Sequence, residues 1–259
     1  MDPIGAIEAV GRRLEEHGRV AIAVSGGIDS LTLATLAARR LGARAQMFHS
    51  LTASVPEEAT RRTRELAARL GWDLHVIDAR EFEREDYLAN PVNRCFHCKQ
   101  SLYGEIARHT SAQIVSGANA DDLGDYRPGL DAARDAGVRH PFVEAGIGKA
   151  TIRAMARALG LGDLAEIPAS PCLSSRVETG IRIEVPMLRR IDAVESAVRG
   201  LTSAKAVRCR IRASGVVIEV DAEALDSLPR EEISRVVAEI AGTRPSFEPY
   251  RVGSAFLHD

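Results

Sequence analysis

Val20-Ala-Ile-Ala-Val-Ser25-Gly-Gly-Ile-Asp-Ser30 is the stretch that decides the fold. The apolar run Val20–Val24 reads as a short buried strand, Gly26-Gly27 as a tight turn, and Leu31 to Leu41 as the helix that follows. Glycines let the backbone turn sharply and come close to an anion, and the new helix presents unpaired N–H groups and the positive end of its dipole. A phosphate fits such a turn. Ser25 and Ser30 add hydroxyl donors, and the absence of a lysine separates the turn from the GxxxxGK[ST] loop. Asp29 is the natural ligand for a divalent metal such as Mg2+.

Further short apolar runs follow at Ala43–His49, Leu74–Asp78 and Gln113–Gly117, separated by amphipathic stretches such as Pro56–Leu70 and Lys99–His109. This alternation predicts an α/β fold, a parallel sheet with helices on both faces. Ligands of such sheets bind beyond the carboxyl ends of the strands. The glycine turn, Ser50 and Ser116-Gly117-Ala118-Asn119 are therefore expected to converge on one crevice that holds a nucleotide.

From Ile181 the rhythm changes to a helix (Met187–Val198), two strands (Ala206–Ala213 and Val216–Val220) joined at Ser214-Gly215, a helix (Arg230–Ile240) and a last extended piece (Phe247–Val252). Two domains are expected, residues 1–180 and a smaller α+β unit over 181–259. Between them Pro168-Ala-Ser-Pro171-Cys172-Leu-Ser-Ser-Arg176 reads as a rigid loop, because two prolines exclude a continuous helix.

The 259 residues, 45% hydrophobic, suffice for one full core and a second small one. A net charge of −2 offers no global basic field for nucleic acid or anionic lipid. The N-terminus lacks the pattern of a signal peptide, and no run reaches the length a membrane helix needs. A cytoplasmic protein acting on small molecules is expected. Four cysteines, Cys95, Cys98, Cys172 and Cys209, are too few for a secreted disulfide framework.

Cys95-Phe-His-Cys98 stands just before the helical stretch from Lys99, so Cys98 is expected near a helix N-terminus, where the dipole favours a thiolate. No second CxxC closes a four-ligand zinc site. Cys172, in its stiffened loop, is the third candidate ligand, and three cysteines suit a [4Fe-4S] cluster with one iron open to an outside ligand. Zinc held with His97 or an outside ligand, and free thiols or a transient disulfide, are the other readings. In Val207-Arg208-Cys209-Arg210-Ile211-Arg212 the period of two places Cys209 in the core and three arginines on the opposite face. Guanidinium forks match phosphate oxygens, and a solvated charged face is the competing reading.

Asp121, Asp122 and Asp125 crowd one loop, as metal or ribose contacts or as a solvated acidic turn. Lys149 falls in the first turn of the helix Lys149–Leu159, an unfavourable dipole position that a bound phosphate would explain. None of the seven histidines is given a catalytic role.

The Ser-Gly-Gly-x-Asp-Ser string resembles the PP-loop of ATP pyrophosphatases. With Asn90-Pro-Val-Asn-Arg-Cys-Phe-His-Cys-Lys99, Ala120-Asp-Asp-Leu-Gly-Asp-Tyr-Arg-Pro-Gly129, Pro168–Arg176 and Gly253-Ser254, it makes nearly the whole chain similar to the LarE family. The resemblance implies a HUP-like PP-loop domain, ATP with Mg2+ at Ser25, Gly26, Gly27, Asp29, Ser30 and Lys149, and adenylation of a pyridinium dicarboxylate mononucleotide. Both carboxylates then become thiocarboxylates on the way to the nickel-pincer nucleotide of lactate racemase. It makes Cys172 the sulfur donor and Arg208 and Arg210 the grip on the substrate phosphate. The set Cys95, Cys98 and Cys172 resembles the branch that carries a spare sulfide on a [4Fe-4S] cluster, whereas another branch sacrifices the donor cysteine itself. A homo-oligomer, such as a hexamer, and a sulfide source are further implications. Ser116 to Asn119 and Glu166-Ile167 depart from the family pattern. A tRNA-thiolating PP-loop enzyme, an ammonia-dependent amidating ligase and a nucleotide-binding module without catalysis are the competing functions.

Overall fold

The computed structural model describes residues 2–124, 127–168 and 171–251. In chain order its helices are α1 (Pro3–Glu16), α2 (Ile28–Leu41), α3 (Glu57–Leu70), α4 (Glu85–Leu88), α5 (Arg94–His109), α6 (Pro128–Asp135), α7 (Pro141–Glu144), α8 (Lys149–Ala158), α9 (Val185–Leu201), α10 (Ala222–Leu225) and α11 (Arg230–Ala241). The strands are β1 (Val20–Ala23), β2 (Ala45–Ser50), β3 (Asp73–Ile77), β4 (Gln113–Ser116), β5 (Val207–Arg212), β6 (Gly215–Val220) and β7 (Ser246–Pro249). Two compact units result, 1–84 with 93–169, and 85–92 with 170–259.

The first unit holds a four-stranded sheet in the order β3-β2-β1-β4, with every pair parallel. β1 is buried on both faces, and its alternation sorts two cores. Val20 and Ile22 join α1, α2 and α8 through Val10, Leu33 and Ile152, while Ala21 and Ala23 join Phe48, Leu102 and Ile106. Helices on both sides of a parallel sheet give the α/β architecture that the sequence pattern predicts. Helix α1 starts where Asp2 Oδ1 accepts from the N–H groups of Ile4 and Gly5 at 3.0 Å, with Pro3 in the first turn. β2 starts two residues later than expected, because Gly42–Arg44 form a 3-10 turn first.

The second unit is a three-stranded sheet, β5-β6-β7, with β5 and β6 antiparallel and β6 and β7 parallel. Val207, Cys209, Val217 and Ile218 are buried, as are Val194 and Val198 of α9 and Ile233 and Val237 of α11. This is the small α+β fold that the sequence implies. Asn90, fully buried with a φ of 51°, belongs here; its Nδ2 donates to the carbonyls of Glu178 (2.8 Å) and Ile181 (2.9 Å). Among the described residues no helix is long and apolar enough to cross a membrane.

Candidate functional site

The turn after β1 is built to stay open at the mouth of α2. Gly26 has a φ of +79°, and a Cβ there would lie 2.6 Å from the Ala59 carbonyl oxygen. Arg62 Nη1 donates to the Gly26 oxygen at 2.7 Å, tying the turn to α3. Gly27 is the N-cap of α2 and supplies no side chain to its first amides. The Ser30 hydroxyl donates inward to the Gly27 oxygen (3.0 Å) and accepts from the Ser25 N–H (3.1 Å), which leaves the exposed Ser25 hydroxyl as the one at the surface. His49, fully buried, faces the Val24 carbonyl through Nδ1 (2.9 Å) and the Thr60 hydroxyl through Nε2 (2.9 Å). A carbonyl only accepts, so Nδ1 carries the proton and Nε2 accepts from Thr60. Burial holds this imidazole below the ordinary histidine value. Neither Arg62 nor His49 carries a local sequence signal for this task, since both contacts are tertiary.

The segment after β4 closes on the turn. A Cβ at Gly117 would stand 2.9 Å from the Ser30 nitrogen, so glycine is what lets these backbones meet. Asn119, fully buried, donates from Nδ2 to Asp29 Oδ2 at 3.2 Å. Burial, joined by the charge of Asp122, raises the Asp29 pKa against the pull of Lys149. A carboxylate strained in this way gains from a cation, and Mg2+ needs only one or two protein carboxylates when phosphates fill the remaining positions. Asp29 thus fits the metal of an ATP complex.

Asp121 and Asp122 have structural duties. Asp121 Oδ2 accepts from the Lys149 N–H at 2.7 Å and so occupies the N-terminus of α8. A carboxylate of the protein thus meets the amide end of α8 beside the Lys149 side chain. The Lys149 amine itself lies half-exposed, 4.0 Å from Asp122 Oδ1, and Arg127 Nη2 meets the same oxygen at 3.0 Å. Asp125 lies outside the described residues.

Cys95 and Cys98 are half-buried in α5, which begins at Arg94 and not at Lys99. Their i, i+3 spacing puts both thiols on one side of the first two turns. Cys172 belongs to the other unit. Among the described residues no group of three or more His, Cys, Asp or Glu side chains is assembled to hold a metal ion. The described residues thus present no ready three-cysteine site.

In the second unit Cys172 is half-buried and precedes a single 3-10 turn, Leu173–Arg176, inside the proline loop. Ala169 and Ser170 of that loop lie outside the described residues, as do Gly253 and Ser254. Arg176 is 1% exposed and grips Glu195 with two bonds, Nε to Oε1 at 2.8 Å and Nη2 to Oε2 at 3.1 Å. Burial alone would raise the Glu195 carboxyl, but Arg176, Arg208 and Arg199 hold it below the usual range. The face of β5 that carries Arg208 and Arg210 is not solvated: the two are 5% and 6% exposed. Arg210 Nε donates to Glu219 Oε2 (2.9 Å) and its Nη1 to the Ser175 carbonyl (2.7 Å). Arg208 stacks over the Tyr250 ring at 5.3 Å, and burial together with Arg176 lowers its pKa. Cys209 is core, its thiol pushed up to about 12 by burial.

A glycine turn at the carboxyl end of β1, backed by Asn119 and Asp29 and lacking a phosphate-gripping lysine of its own, defines a PP-loop protein of the α/β class. The sequence profile of the asparagine synthase family matches residues 7–112. An uncharacterized protein of Synechocystis is 34% identical over 230 residues, 87% of this chain and 82% of its own. One from Methanocaldococcus jannaschii is 26% identical over 91% of this chain and 87% of its own. The pyridinium-3,5-bisthiocarboxylic acid mononucleotide synthase of Lactiplantibacillus plantarum is 29% identical over 201 residues, 73% of this chain and 70% of its own. The chain belongs to the LarE-like family of PP-loop proteins.

Proposed function

We propose that this protein is an ATP-dependent sulfur transferase that adenylates the carboxylates of pyridinium-3,5-biscarboxylic acid mononucleotide and converts them to thiocarboxylates. The single observation that carries the ATP half is the glycine turn with Asp29 beside Asn119. The likeness to the L. plantarum synthase supports the choice of substrate. A carboxylate oxygen of the substrate attacks the α-phosphorus, and pyrophosphate leaves with its charge met by the turn amides, the Ser25 hydroxyl and Lys149. Mg2+, held by Asp29, would neutralise the phosphate charge as it moves to the leaving group. The acyl-adenylate makes the carbon electrophilic, the Cys172 thiolate attacks, and AMP departs with the former carboxylate oxygen.

Release of the product then breaks the Cβ–Sγ bond of Cys172 with loss of the Cα proton, leaving dehydroalanine and a thiocarboxylate. The alternative supply that the family resemblance supports is sulfide from a [4Fe-4S] cluster that Cys95, Cys98 and Cys172 would hold, in which case Cys172 stays intact. Anaerobic iron and sulfide analysis separates the two, together with intact mass, where sacrifice of Cys172 appears as the loss of the elements of hydrogen sulfide for each cysteine consumed. The family resemblance supports Arg208 and Arg210 as the grip on the substrate phosphate. A homo-oligomer in the cytoplasm, fed by a sulfide source, completes the reading. The test is a pair of variants assayed with ATP and the dicarboxylate. Cys172→Ala loses thiocarboxylate formation and keeps pyrophosphate release, whereas Asp29→Asn loses both, by about 100-fold or more. Full thiocarboxylate formation by Cys172→Ala refutes the donor assignment.

A further inference from the structure

We propose that Arg176 is a positioning residue for Cys172, fixing the backbone from which the thiol projects; the inference rests on Cys172 being the sulfur donor. Cys172 lies in neither helix nor strand, so no regular ladder fixes its peptide. Three donors converge on its carbonyl oxygen instead: the Ser175 N–H at 3.0 Å, the Ser175 hydroxyl at 2.7 Å and Arg176 Nη1 at 3.2 Å. The same Nη1 donates to the Pro171 carbonyl at 2.7 Å and to Ser175 Oγ at 3.0 Å. One guanidinium edge therefore pins two successive carbonyls, while Nε and Nη2 are held by Glu195.

Glu195 is fixed in turn by Arg199 Nη2 at 2.7 Å and by the Cys209 N–H at 3.1 Å. The clamp thus runs from β5 through a carboxylate of α9 and one guanidinium to the cysteine peptide. A second brace, Arg210 on the Ser175 carbonyl, holds the same turn from Glu219. An apolar pair of similar volume would fill this space at no greater cost in stability, so two buried ion pairs aimed at one loop fit a demand for a single conformation. A nucleophile misplaced by about 1 Å loses roughly 100-fold in rate. Only the planar fork of arginine can meet the carboxylate and the two carbonyls at once.

The test uses Arg176→Lys and, in case that chain folds poorly, the double variant Arg176→Met/Glu195→Met, which replaces both charges by apolar groups. Three quantities are measured: pyrophosphate release, thiocarboxylate formation, and the iodoacetamide alkylation rate of Cys172 read by peptide mass spectrometry, with Cys95 and Cys98 as internal controls. Both variants are expected to release pyrophosphate within about twofold of the parent and to form thiocarboxylate at least about 30-fold more slowly. Alkylation of Cys172 changes in both while that of Cys95 and Cys98 does not, which loss of fold would not produce. Parental thiocarboxylate formation, or an unchanged Cys172 alkylation rate, in either variant overturns the assignment. Cys172→Ala runs alongside: activity there sinks the donor reading, whereas a dead Cys172→Ala beside a fully active Arg176→Lys sinks the positioning role alone.

Discussion

Gly26→Ala tests the geometry of the nucleotide turn most directly, because two separable terms oppose it. The first is conformational: a φ of +79° costs an L-residue about 1–2 kcal/mol. The second is steric, since the new Cβ would lie 2.6 Å from the Ala59 carbonyl oxygen and 2.9 Å from the Ala59 Cβ, atoms of α3 that no rotamer change can clear. Overpacking of this kind costs about 1–3 kcal/mol, so the sum is about 2–5 kcal/mol. Two controls isolate the terms. Gly18 has a φ of +72° and nothing within 4 Å of its Cβ position, so Gly18→Ala carries only the first, about 1 kcal/mol after alanine's smaller unfolded-state entropy. Gly117→Ala carries only the second, at 2.9 Å from the Ser30 nitrogen. Urea denaturation followed by Trp72, the one tryptophan in the sequence and part of the same core, reads all three. A Gly26→Ala loss within about 0.5 kcal/mol of Gly18→Ala would show that α3 does not abut the turn.

Two further outcomes are expected. His49 is buried and neutral in the folded state, with its pKa held below the ordinary 6.5, so below that value the unfolded chain binds a proton that the folded chain refuses. Stability is therefore complete above about pH 6.5 and falls by up to about 1.4 kcal/mol per pH unit as pH drops toward the folded-state value, with burial of His140 acting in the same direction. His49→Asn, which keeps a donor for the Val24 carbonyl, flattens the profile between pH 7 and 5.5 by denaturation; a parent profile already flat there contradicts the buried neutral imidazole. Glu195→Ala strands the guanidinium of Arg176 at 1% exposure and costs the second unit about 3–5 kcal/mol, whereas a loss near zero would mean that water replaces the carboxylate.

What could be read in advance divides along one physical line. β1, the glycine turn and α2 follow one another within about twenty residues, and their signals are local: an apolar run, a residue pair that tolerates a sharp turn, a helical period. The same holds for β4 and for the β5–β6 hairpin at Ser214-Gly215. The start of helix α5 escapes such reading because Asn90-Pro-Val-Asn-Arg94 has loop composition, yet the helix opens directly after Asn93, without a capping side chain, and takes both cysteines into its first turns. Helix α1 announces itself only through Asp2 and Pro3.

The polar partnerships were hidden for a different reason. Asp121 caps α8 from 28 residues away, Asn119 reaches Asp29 across 90, and Arg210 meets Ser175 across 35. No periodicity encodes such pairs, so a charged residue that looks available for a ligand in the sequence can already be engaged in the fold. The arginine face of β5 shows the consequence: alternation placed Cys209 inside, but only the sheet shows that the opposite side is also covered and that Glu219 and Glu248 meet Arg212 there at 2.7 and 2.9 Å. Burial rules out the solvated reading for Arg208 and Arg210, and Glu219 fixes the Arg210 guanidinium in place. An anion entering such a region meets donors whose reorganisation has already been done by folding, which is the condition under which electrostatic binding is strong.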